Sequence, residues 1–214
     1  MTALVLSLLL AADPGAAAPP NPAATLATST APGKWANASL VELVRVVTEL
    51  EVPHTYSIER PLGTESTIEV SPGFASDRFV LVVLMADRAT KVKVEQRHET
   101  SLTIQDEGPH LDLVDWKHHV SDWVELPGEV GGAFRSLPIS AEDSSRFPHV
   151  EMSSVLAEIG LRDPRWLDVV KGAKSIREYP FSVGVTEVSF RILARLGGKW
   201  EPVHVVRLRL PTGC

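Results

Sequence analysis

The chain reads as an α+β fold, a mainly antiparallel sheet packed with a few helices, and three observations predict it. Apolar and polar residues alternate with period two through the middle of the chain and again near its end, the pattern of half-buried strands. Apolar stripes at helical spacing occur around 40–50 and 152–170. Turn-forming residues separate the strand-like runs at short intervals, leaving no room for the crossover helices of a parallel sheet.

Residues 1–18 read as an export signal. Ala3 to Ala12 is an apolar run of h-region length, and Ala16-Ala17-Ala18 offers an A-x-A cleavage site, although Met1-Thr2 carries no Lys or Arg. The run is too short to cross a bilayer, so no membrane span is expected, and no Cys follows it to carry a lipid. Residues 19–36, rich in Pro, Ala and Thr, read as an extended tether. The remainder, 37–214, is expected to form a single domain.

That domain is expected to open with a helix. Ser39 and Glu42 have capping-box spacing, and Leu40, Leu43, Val44, Val47 and Leu50 fall on one helical face before Pro53 ends the run. From His54 to about Leu126 the period becomes two. Ile68 and Val70, Val92 and Val94, and Leu102 and Ile104 alternate with polar residues, and turns fall at Gly63, Pro72-Gly73, Asp87-Arg88 and Glu107-Gly108-Pro109. Arg78 to Ala86 is apolar at both parities, which predicts a central strand covered on both faces. Close spacing predicts an antiparallel meander.

Two short helices come next. Met152, Val155, Leu156 and Ile159 form one stripe, with Gly160 placed as its C-terminal cap. Asp163 and Pro164 then read as the cap and first position of a helix whose apolar face is Trp166, Leu167 and Val170. The chain ends in a hairpin around Gly197-Gly198. A three-residue loop, Gly197-Gly198-Lys199, pairs Leu196 with Trp200, Ile192 with His204, Phe190 with Val206 and Val188 with Leu208. The other face then matches Arg195 with Glu201 and Glu187 with Arg209.

Composition narrows the function classes. Apolar residues are 44% and charged residues 22%, ordinary globular usage, so most of the chain should fold. A net charge of −6 argues against nucleic-acid binding, which needs clustered Lys and Arg. The single cysteine, Cys214, can build neither an internal disulfide nor a thiolate zinc site. No G-x-S-x-G elbow and no phosphate-binding glycine loop is present. His204, on the apolar face of the hairpin, reads as a core histidine.

The segment 110–129 is the most unusual. It carries Trp116, Trp123, Asp115, Asp122, His118 and His119, side chains that stack on and hydrogen-bond to sugars or peptides, so a binding patch is expected if both tryptophans reach one surface. The alternative is a divalent metal such as zinc held by His110, Asp112, His118 (or His119) and Asp122, activating water for hydrolysis, although the spacing matches no established zinc motif. Charge is uneven as well: Asp106 to Glu129 holds seven acidic residues and one basic, whereas Arg165 to Arg209 holds nine basic and four acidic. The resulting expectation is a periplasmic or extracellular, non-catalytic domain that binds another protein, a peptide or a surface glycan. An inhibitor or immunity-type partner is one concrete form. A metal-dependent hydrolase is the alternative.

Overall fold

The computed structural model describes residues 40–74, 78–129 and 131–211. The expected export signal and tether, Ser39 and Cys214 lie outside these residues. Among the described residues no helix is long and apolar enough to cross a membrane.

Two sheets face each other. The smaller contains β1 (Val41–Thr48), β2 (Thr55–Glu59), β4 (Phe79–Met85) and β9 (Ala133–Arg135) in the order β2-β1-β4-β9. The larger is built on two long strands, β5 (Val92–Gln105) and β10 (Phe181–Leu196), with β11 (Lys199–Arg209) beside β10 and β3 (Glu65–Glu69) beyond it. On its other side the edge of β5 is covered piecewise by β6 (His110–Asp112), β7 (His118–Val120) and β8 (Val124–Glu125). Pairing is antiparallel except between β3 and β11.

The expected meander does not form. β2 and β4 both flank β1 in the smaller sheet, while β3 and β5 belong to the larger one. Period-two alternation tells which face of a strand is buried, and nothing about which strand lies beside it.

The expected first helix is β1 instead. Val41, Val44, Val46, Val47 and Thr48 are β-branched, stiff at χ1 and suited to a pleated surface. Of the expected helical face only Val44 is buried; Leu40, Leu43, Val47 and Leu50 are half-buried. A bulge between Val41 and Leu43 shifts the register, so Val41 and Val44 are both buried although three positions apart. The central strand β4 is covered on one face only: Phe79, Leu81, Val83 and Met85 are buried, whereas Val80 and Val82 are half-buried and Leu84 is exposed.

The inner face of the β5–β10 ribbon serves two cores. At its β11 end Val94, Phe190, Ile192 and Leu208 pack on Val44, Val46, Phe79 and Leu81 of the smaller sheet. At its other end Leu102, Ile104 and Phe181 are covered by Val155 and Ile159 of α2 (Met152–Arg162) and by Val170, just past α3 (Trp166–Val169). Each fully buried side chain of this size contributes about 1.5–3 kcal/mol. A bulge in β10 between Val185 and Glu187 marks the junction, where the Thr186 and Ser101 hydroxyls lie 2.9 Å apart.

The expected helices need two adjustments. α2 runs through Gly160 to Arg162, so Gly160 is not its cap; Leu167 Cδ1 lies 3.8 Å from where a Gly160 Cβ would be. Asp163 and Pro164 do not begin α3, whose cap position is Arg165; they form the turn before it, in which the Asp163 carboxylate accepts the Arg165 N–H at 3.2 Å. A further short helix, α1 (Ala141–Ser145), is capped by Ser140, whose Oγ accepts the Asp143 N–H at 3.0 Å.

The terminal hairpin corrects its expected loop but keeps its expected body. Gly197 and Gly198 both take positive φ, 55° and 84°, and form a two-residue turn that pairs Leu196 with Lys199 and Arg195 with Trp200. A bulge at Val203, beside Pro202, then restores Ile192 opposite His204, Phe190 opposite Val206 and Val188 opposite Leu208. Two glycines spare Lys199 a left-handed conformation, and Pro202 lacks the N–H that a regular ladder would use.

Candidate functional site

The segment 110–125 binds the edge of β5 in three short steps, and the chain loops out between them. The register sets Ser101 opposite His118, Thr100 opposite His119 and Glu99 opposite Val120. Thr100 is fully buried on the core side, so His119 turns inward and its ring lies 6.4 Å from that of His98. His118 and Val120 turn outward.

The outer face of the larger sheet is an ion lattice. Lys93 bridges Glu95 at 3.0 Å and Glu125 at 3.1 Å, and Arg191 pairs with Glu95. Burial pushes the Glu95 carboxyl up, but Arg191 and Lys93 outweigh it and hold the carboxyl below its usual range. Arg97 bonds Glu99 at 3.2 Å. Trp123 lies over this lattice, its ring 4.7 Å from the Arg97 guanidinium and 4.4 Å from that of Arg191. Guanidinium groups held against an indole face gain cation–π energy while the stems cover the ring.

Beside the lattice a polar cleft of about 600 Å³ opens where β3, β11, β10 and β5 meet the looped edge. Five carboxylates line it, from Glu69, Glu99, Asp112, Asp115 and Glu187, with His118, Arg207 and Arg209 as its basic groups. The arginines are already occupied: Arg207 bonds Glu65 at 3.2 Å and Glu187 at 3.1 Å, and Arg209 bonds Glu69 at 3.3 Å. Ser189 Oγ also donates to Glu187 at 2.7 Å. Asp115 makes no hydrogen bond or ion pair among the described residues. Asp112 pairs with His110 at 3.3 Å through Oδ2, and its Oδ1 is buried with no partner. The cleft therefore keeps acceptor capacity and negative charge that the protein itself does not satisfy.

The structure divides the expected site residues. Asp112, Asp115 and His118 share the cleft. Trp123 sits on the ion lattice, but Trp116 packs half-buried against the helix-covered core, with Lys117 Nζ 5.3 Å from its ring, so the two tryptophans do not form one surface. Asp122 lines a different cleft, and His119 faces inward. The four expected metal ligands do not converge either. His110 and Asp112 are together, His118 is 3.8 Å from Glu99, and Asp122 lies in that other cleft. Among the described residues no three His, Cys, Asp or Glu side chains are placed to hold one ion.

Sequence reasoning missed Glu99, Glu187, Arg207 and Glu69. The outward stripe Lys93, Glu95, Arg97, Glu99 was visible as alternation, but its partner Arg191 comes from a strand 96 positions away. No protein-family model, curated protein or solved structure matches the chain.

Proposed function

We propose that this chain is an exported, non-catalytic binding domain that captures a basic segment of another protein in the outer-face cleft. The observation that carries the reading is charge imbalance: five carboxylates line the cleft, both arginines are paired internally, and the exposed Asp115 carboxylate makes no ion pair among the described residues. Oriented negative charge in a concave site steers a cationic partner and speeds its association. An inhibitor or immunity-type role is one form this takes. Export rests on the apolar run Ala3–Ala12 and the alanines at 16–18.

The test uses a tetralysine peptide as probe, by calorimetry at low and high salt. Saturable binding that weakens as salt rises, and that falls about tenfold or more in Asp112→Asn/Asp115→Asn, supports the reading. Binding that is absent, or unchanged in the double variant, overturns it.

A further inference from the structure

The smaller sheet keeps one face open, and that face is apolar. Leu43 and Val47 of β1, Val80, Val82 and Leu84 of β4, and Ala133 of β9 are half-buried or exposed on it. Strand pairing joins them into one patch, with Leu43 beside Leu84, Val47 beside Val80, and Val82 beside Ala133. None of the six belongs to either core or packs against one among the described residues. Scattered apolar side chains are ordinary on a protein surface, whereas a contiguous patch across neighbouring strands marks a contact surface. The sequence of β4 agrees. It is apolar at both parities, the pattern of a strand covered on both sides, yet the described elements cover it on one side only.

Two charges on the same face say what covers it. Arg45 is exposed on β1 between Leu43 and Val47, and Glu59 is exposed on β2 opposite Leu43. Neither side chain makes a hydrogen bond or ion pair among the described residues. At the rim, by contrast, Arg135 is already bound to Glu49 and Glu129. A lone cation and a lone anion on one face are self-complementary. A two-fold axis between two facing copies, passing midway between these side chains, sets each Arg45 against the other copy's Glu59. Leu43 neighbours both charges, two residues from Arg45 and directly opposite Glu59, so it lies near that axis with Leu84 beside it. The chain's own leading stretch is a poorer cover, because residues 19–39 contain no Asp or Glu to set against Arg45.

We propose that this open face is the interface of a two-fold dimer of the chain, in which the apolar patches cover one another and Arg45 of each copy pairs with Glu59 of the other. A face four strands wide and seven residues long measures at most about 19 by 24 Å, or about 900 Å² counted over both copies. That is below the roughly 1,200–2,000 Å² of stable complexes, so the dimer is reversible and forms at micromolar concentration. It leaves the cleft of the larger sheet open on each copy and stands without the reading of that cleft.

The experiment is sedimentation equilibrium of the full chain from about 1 to 300 μM, in reductant so that Cys214 forms no disulfide. The expected result is a monomer–dimer equilibrium within that range. Arg45→Glu and Glu59→Arg each place two like-charge pairs across the interface, and each raises the dissociation constant about tenfold or more. Leu84→Asp, outside both cores, does the same. These are exposed positions, and an unchanged far-UV spectrum shows that the variants are folded. An equimolar mixture of Arg45→Glu with Glu59→Arg restores opposite charges at both contacts and dimerises with wild-type affinity. A chain that stays monomeric throughout, an association that ignores the three single changes, or a mixture that dimerises no better than its components overturns the proposal.

Discussion

His204 makes stability depend on pH in a calculable way. The ring is fully buried in the main core, with Nε2 3.0 Å from Ser66 Oγ and Nδ1 without a partner. Burial lowers its pKa to about 4, against weaker opposing pulls from the Gly63 carbonyl and the Glu65 charge. In the unfolded chain the ring titrates near 6.5. Between these values the unfolded state binds the proton and the folded state does not, so stability is full above about pH 6.5 and falls as the solution is acidified towards pH 4. At pH 5 the unfolded ring is almost wholly protonated and the folded ring about one-tenth so, a difference of about 2 kcal/mol; at pH 4 it reaches about 3 kcal/mol. Urea denaturation at pH 7 and pH 5 measures it. Wild type should lose about 2 kcal/mol more than His204→Gln over that interval, because glutamine does not titrate. An equal loss in both proteins, or an NMR titration of His204 near 6.5 in the folded chain, would refute the argument.

Two substitutions probe backbone and lattice. Gly132→Ala should destabilise by about 1–3 kcal/mol, read as a lower urea midpoint, because φ is +77° there and an added Cβ would stand 2.8 Å from the Val83 carbonyl oxygen. Trp123→Ala should remove the clamp over Arg97 and Arg191 at a similar cost, about 1–3 kcal/mol, while leaving the far-UV spectrum of the folded chain unchanged, because the ring lies outside both cores.

Much of the larger sheet was legible because burial writes itself into strands as alternation. The body of the hairpin from Val188 to Ile192 could be placed opposite its partners by matching faces alone. The tip could not, since the bulge at Val203 compensates for the two-glycine turn, and two departures that cancel leave the rest of the pattern intact. β1 was misread because Leu40, Leu43, Val47 and Leu50, which give it a helical stripe, are only half-buried, while the buried Val44, Val46 and Thr48 keep period two. The order of strands was illegible because alternation carries no address. Of the cleft, the 112–118 portion stood out by composition. Its opposite wall, Glu187 and Arg207, looked like ordinary solvated positions until folding brought it near.

The ribbon formed by β5 and β10 also sets an order of events. Its 14- and 16-residue strands belong to both cores, while α2 and α3 touch only one end. Shedding the helices strips Leu102, Ile104 and Phe181 yet leaves the sandwich clasped. Shedding the smaller sheet instead bares the larger core. Amide exchange should therefore proceed in two steps, with α2 and the Phe181 end opening at lower free energy than the Phe190 end. The kink at Thr186 is the natural place for that division.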